Sequence, residues 1–406
     1  MMMKRCVVVL ALLSAAATLS PNTLKANDST AELGAGGLIF SKNDDVDMTS
    51  EDLFVSREQI IVDYKFYNRS SHDVTSLVAF PLPEIEYQAD ADVGIPSPDS
   101  VNFVDFVTLV EGRRIEADVE LKSNVQGVDK TEELKRLGMP LNPYQASSVI
   151  NAASKSVLDE MRREDLLDEN NQPLWKLKTV FYWQQTFPKG RTVEISHRYR
   201  PIAGGSVMTS IHHIPTNTDI REDYKKYCVE RSLIDAVNRS IKPGEDYPRF
   251  GELNVEYILT TGANWASPIR RFRLVVDKGS PRNLVSFCGD GVTKISPTRF
   301  EITATDFVPK QNLEVLILTP GDDTEGRETD VAERRDFGSF TCADLWQARN
   351  AIFKAEGYCF KTSRAISQFG NSGCKYDDIK QVPLSDAERN EIGSIKNAER
   401  LKHCPR

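Results

Sequence analysis

The sequence has no Gly-x-Ser-x-Gly elbow, no His-Glu-x-x-His helix and no Walker or dinucleotide glycine loop. Those absences remove the motif-borne routes to a serine hydrolase, a zinc peptidase, a nucleotidase or a dinucleotide enzyme. No Cys-x-x-Cys and no Cys/His pair at ligand spacing occurs, which argues against a structural zinc site. Beyond the N-terminal leader no stretch approaches the roughly 18 apolar residues of a membrane helix. No internal repeat of the solenoid kind recurs.

What is present begins with that leader. Lys4-Arg5 precede an apolar run over 6–13, which leads into Ser14-Ala15-Ala16-Ala17. A short basic region, an apolar run too short to span a bilayer and a small-residue exit predict a cleavable signal peptide over 1–26. Cleavage is expected after Ala26 or after Ala17. Cys6 stands in front of the run, so it is not a lipoprotein anchor. The mature chain is expected in the periplasm or outside the cell.

Removing 1–26, which carries three basic and no acidic residues, takes the formal charge from −8 to −11. An acidic body argues against nucleic acid as partner. Six cysteines remain, an even count suited to an oxidising compartment. About 380 residues exceed what one core usually serves, so more than one domain is expected. The boundary falls at an acidic linker over 321–339, where Asp322, Asp323, Glu325, Glu328, Asp330 and Glu333 crowd a segment with no apolar period.

The block 340–406 reads as two helices closed by cystines. Thr341 and Asp344 resemble a capping box, Leu345, Trp346, Ile352 and Phe353 recur at helical spacing, and Gly357 supplies a stop. Ser385 with Glu388 opens the second helix, with Ile392, Ile395, Ala398 and Leu401 on one face. A block of about 65 residues has too small a core to be comfortable alone. The four cysteines are therefore expected to pair in nested fashion, Cys342 with Cys404 and Cys359 with Cys374. Cys228 and Cys288 are left to staple a helix to a strand.

Between leader and linker the pattern has mostly period two. In 58–67, Ile60, Val62, Tyr64 and Phe66 share one face of a half-buried strand. Further strands are expected over 74–80, 253–260, 272–276, 284–287, 300–304 and 313–319. Glu111-Gly112 joins 103–110 to 113–121 as a hairpin, and Pro188-Lys189-Gly190 joins 174–187 to 191–200 as another. Helices interrupt at 131–167 and 219–241. The fold class is α+β: a β-rich, sandwich-like antiparallel domain with helical insertions over 27–320, then a small disulfide-stapled helical domain.

Two resemblances accompany this reading. Asn350, Ile352, Phe353, Gly357, Tyr358 and Phe360, with Tyr376 and the run Leu384-Ser385 to Ile395, resemble the YARHG domain, a small extracellular module of bacterial proteins. Of the name-giving pentapeptide, 353–357 keeps the first aromatic and the last glycine. Leu33-Gly34-Ala35-Gly36-Gly37-Leu38, Ala79-Phe80-Pro81-Leu82-Pro83, Trp183-Gln184-Gln185-Thr186-Phe187-Pro188 and His197-Arg198-Tyr199-Arg200-Pro201 are similar to the bacterial secreted family called domain of unknown function 4424. That resemblance implies no activity.

No catalytic, cofactor or metal residue is assigned. His197 and Tyr199 share a strand face, whereas His212 and His213, as neighbours on a strand, would point apart. Asp44-Asp45-Val46-Asp47 and Asp90-Ala91-Asp92 lack the twelve-residue loop of a calcium site. The binding candidates are Phe353, Glu356, Tyr358 and Phe360 in the terminal block and His197 and Tyr199 in the β-rich domain. The block carries eleven Lys/Arg and eight Asp/Glu, +3 beside an acidic body. These features predict a non-catalytic envelope protein that binds a cell-wall or protein component. The alternative is an envelope hydrolase, peptidase or glycosidase, whose carboxylates converge only in three dimensions.

Overall fold

A computed structural model of the chain describes residues 28–34, 37–89, 93–321, 341–371, 374–384 and 386–404. The expected leader, Ser385, the turn 90–92 and the acidic linker from 322 onward lie outside them.

The strands, in chain order, are β1 (Ser29–Gly34), β2 (Gly37–Ser41), β3 (Val46–Ser56), β4 (Ile60–Asn68), β5 (Val74–Pro81), β6 (Ile85–Glu86), β7 (Val107–Val110), β8 (Arg113–Ile115), β9 (Asp118–Val125) and β10 (Val128–Asp129). After three helices, α1 (Thr131–Arg136), α2 (Pro143–Asn151) and α3 (Lys155–Arg163), come β11 (Lys176–Phe187), β12 (Thr192–Tyr199) and β13 (Gly204–Ser206). A second helical insertion holds α4 (Thr218–Asp223) and α5 (Arg231–Asn238). It is followed by β14 (Phe250–Tyr257), β15 (Ile269–Asp277), β16 (Leu284–Phe287), β17 (Thr293–Lys294), β18 (Arg299–Phe307) and β19 (Leu313–Pro320).

Three sheets result. The first runs β10-β9-β11-β5-β1-β2 with β6 against β11, the second β17-β18-β15-β3-β4-β12-β7-β8, and the third β13-β14-β19-β16. Their inner faces meet in one apolar core. Ile60, Val62, Tyr64 and Phe66 of β4 are all buried there, as the alternation predicts. Phe80, Phe181 and Trp183 come from the first sheet, and Val255, Tyr257 and Val315 from the third.

Of two expected hairpins one forms only in part and the other does not form. β7 and β8 pair across Glu111-Gly112, both at positive φ (51° and 71°), but β9 leaves for the other sheet. β11 and β12 do not pair at all: Pro188-Lys189-Gly190 carries the chain from the first sheet to the second. A short turn between two alternating runs reports a reversal of direction, and a sandwich can place the reversed strand opposite as well as alongside.

The terminal module consists of α6 (Cys342–Ala355), α7 (Ser363–Phe369) and α8 (Asp386–Leu401). Thr341 and Asp344 form the capping box, and Gly357 has a φ of +83° just past the end of α6. The helix α7 is a third one, lying between the two that the sequence predicts. Leu345, Ile352, Phe353, Phe360, Ile392 and Ile395 pack the small core. Cys342–Cys404 and Cys359–Cys374 close the module, and Cys228–Cys288 staples the second insertion to β16 and its following loop.

Candidate functional site

His197 and Tyr199 lie inside the sandwich, 1% and 3% exposed, so neither presents a surface for a ligand. His197 Nε2 donates to Asp28 Oδ1 at 2.9 Å, and Nδ1 lies 3.1 Å from the Thr108 hydroxyl. Hydroxyl, imidazole and carboxylate stand in the order of a nucleophile, its base and an orienting acid. Thr108, however, is 1% exposed, and Phe80, Phe106 and Trp183 ring the imidazole at 4.8–5.3 Å. No substrate carbonyl reaches this hydroxyl. Burial raises the Asp28 carboxyl above its ordinary range, and His197 offsets part of that shift. The Tyr64 and Tyr257 hydroxyls join 2.8 Å apart nearby. This is a polar clamp across the core, with backbone reach as well: the Trp265 indole donates to the Asp28 carbonyl at 2.6 Å.

His212 and His213 sit on a 3-10 turn, Ile211–His213, not on a strand, and their rings stand 3.8 Å apart. Among the described residues no group of three His, Cys, Asp or Glu side chains could hold a metal ion. The Asp47 carboxylate of the first acidic turn faces Arg69 and Arg270 at 3.6 and 3.3 Å.

A carboxylate pair forms in the third sheet. Glu256 of β14 and Glu314 of β19 are cross-strand neighbours. Burial first, and the Glu314 charge second, push the Glu256 carboxyl up to about 7. Glu314 is raised by burial too, while Lys226, 3.8 Å away, holds it down. Lys226 lies two residues before Cys228, so the Cys228–Cys288 bond fixes that ammonium near the pair. The alternation of β14 shows which face Glu256 takes, but only the strand register reveals its partner.

A shallow concavity lies on the terminal module. A pocket of about 280 Å³ has an apolar floor of Phe353, Ile379, Leu384 and Ile392. Arg389, Gly393 and Lys396, on successive turns of α8, complete its lining. Phe353 is thus the binding candidate that reaches a pocket. Phe360 is core, 4% exposed, and Tyr358 packs between it and Phe353. Glu356 instead meets Arg198 of β12 at 3.2 Å, an ion pair between module and β-rich domain.

Gly393 is the feature sequence reading passed over. A glycine inside a helix costs about 1 kcal/mol relative to alanine. A Cβ at 393 would meet nothing within 4 Å, whereas one at Gly205 would stand 2.4 Å from the Glu252 carbonyl oxygen. Packing explains Gly205 and does not explain Gly393. The signal was legible as a lone glycine amid an otherwise helical pattern.

A family model described as "Domain of unknown function (DUF4424)" matches residues 26–316, and one described as "YARHG domain" matches 327–400, beginning within the stretch read as linker. A solved structure from Legionella pneumophila, described as "a putative nutrient binding protein", is 15% identical over 92% of this chain and 97% of its own. Its TM-score of 0.37 is too low for the likeness to carry an argument. No curated protein matches the chain.

Proposed function

The chain belongs to the DUF4424 family and ends in a YARHG domain, and from that premise we propose an exported, non-catalytic envelope protein that binds another envelope component. The observation that carries this reading is the pocket on the terminal module, apolar at its floor and bordered by Arg389 and Lys396. An anionic group with an apolar part is the chemistry such a pocket favours. Three disulfides suit an oxidising compartment. Among the described residues no helix is long and apolar enough to cross a membrane.

In this reading the leader is 1–26, the β-rich domain 27–320, the linker 321–339 and the binding module 340–406. Removal of the leader after Ala26 or after Ala17 leaves the buried Asp28, Ser29 and Thr30 in the mature chain. The test is retention of the oxidised mature protein on isolated sacculi and on cross-linkable envelope extract, across salt. Saturable retention lost in Lys396→Glu supports the reading. No retention and no cross-linked partner would sink it.

The Glu256–Glu314 pair favours a second reading, an envelope hydrolase with Glu256 as proton donor. Release of soluble peptide or sugar from sacculi by the wild type, abolished in Glu256→Gln, would establish it. Equal release by both would remove it.

A further inference from the structure

We infer that the pocket on the terminal module takes one large apolar side chain of an acidic peptide segment from a partner protein, with Gly393 holding the pocket open. This rests on the binding reading above and narrows it to one class of ligand. Gly393 lies halfway along α8, has no close neighbour and no left-handed φ, so neither a turn nor tight packing requires it. It does line the pocket, between Arg389 one turn before and Lys396 one turn after. A Cβ at 393 would meet nothing within 4 Å, so a larger side chain there has room to reach over the notch that Gly393 borders. A helix that carries its least favourable ordinary residue where only the pocket gains from it is built around an occupant.

The lining states the occupant's chemistry. Phe353, Ile379, Leu384 and Ile392 offer apolar contact, while the polar side chains at the pocket are both cationic. Among the described side chains that line the pocket none is an acceptor, so a glycan's hydroxyl donors would find no side-chain partner among them, and burying such donors unpaired is unfavourable. A carboxylate beside an apolar group finds the Lys396 ammonium and the apolar floor. The volume of about 280 Å³ falls just below the range of small-molecule sites, roughly 300–1,000 Å³, and suits an anchoring side chain of a bound segment. The module's +3 charge favours approach of an acidic segment, and Lys396 lies at the pocket.

The test uses the full-length, oxidised mature protein and a fluorescein-labelled peptide with one phenylalanine between two acidic flanks. Controls replace the phenylalanine by alanine or the acids by lysines; isolated sacculi and phosphatidylglycerol vesicles are assayed in parallel. Expected are saturable binding of the parent peptide, at least tenfold weaker binding of each control peptide, and a slope toward weaker binding with salt. Gly393→Ala should melt at higher temperature than the wild type yet bind about threefold more weakly, and Gly393→Leu more than tenfold more weakly. A merely structural glycine would move stability and binding the same way. Peptide binding equal in Gly393→Leu and wild type overturns the inference. Retention on sacculi or vesicles alone, sensitive to Lys396→Glu, overturns it while leaving the binding reading intact. No binding to any of the probes, with no partner cross-linked from envelope extract, removes both.

Discussion

Asp28 and His197 stand 169 residues apart in the chain and 2.9 Å apart in the core, each fully enclosed. The first strand of the β-rich domain is therefore held by a side chain from its twelfth. Replacing the imidazole leaves a buried carboxylate without that donor, and breaking such a pair costs about 3–5 kcal/mol. His197→Ala should lower the unfolding free energy read from urea titration by that amount, whereas Asp28→Asn, which keeps an acceptor oxygen opposite Nε2, should cost far less. A His197→Ala protein of wild-type stability would show the contact to be dispensable.

The raised Glu256 carboxyl makes a pH prediction of definite sign. Between its ordinary 4.5 and about 7 the native state binds more protons than the unfolded state, so stability falls as pH rises through that window. Glu314 and Asp28, both raised, act in the same direction. Glu256→Gln should match the wild type near pH 4.5 and exceed it near pH 8, as read by denaturant midpoints. Parallel curves for the two proteins would contradict the shift.

Cys359–Cys374 closes a loop with a sequence separation of 15. By loop-closure entropy the bond is worth about 3 kcal/mol. Replacing both cysteines by alanine should destabilise the module's α7 region by that much. Hydrogen exchange of residues 363–369, compared with that of the sandwich strands, measures it.

The Arg198–Glu356 pair joins module to sandwich with side chains 31% and 17% exposed. Solvent screening limits such a pair to about 1 kcal/mol or less. A double-mutant cycle with Arg198→Ala and Glu356→Ala should return a coupling of that size. A coupling well above 1 kcal/mol would contradict this screened geometry.

Much of this architecture is written in local patterns. The alternation of 60–66 gives the buried face of β4, and Thr341 with Asp344 gives the start of α6, because both depend on neighbours within one turn or one pleat. What sequence could not give is pairing. β3 lies parallel to β15, with Leu53 opposite Leu274. That neighbour is chosen by packing more than two hundred residues away. The same limit hid Glu256 beside Glu314 and put His197, offered as a binding residue, in the core. His212 and His213 were misplaced for another reason: a 3-10 turn brings adjacent rings together where a strand would part them. Gly393 was visible throughout, but a glycine declares its purpose only once its neighbours are known.

The Trp265 indole caps the Asp28 carbonyl across a separation of 237 residues. At ribosomal speeds of 5–20 residues per second, roughly 10–50 s pass between the making of one partner and the other. During that interval the beginning of the chain has no completed home, and β3 likewise waits for β15. The sandwich therefore cannot be completed until its latter part has been made, because Trp265 and β15 supply partners that Asp28 and β3 find nowhere else.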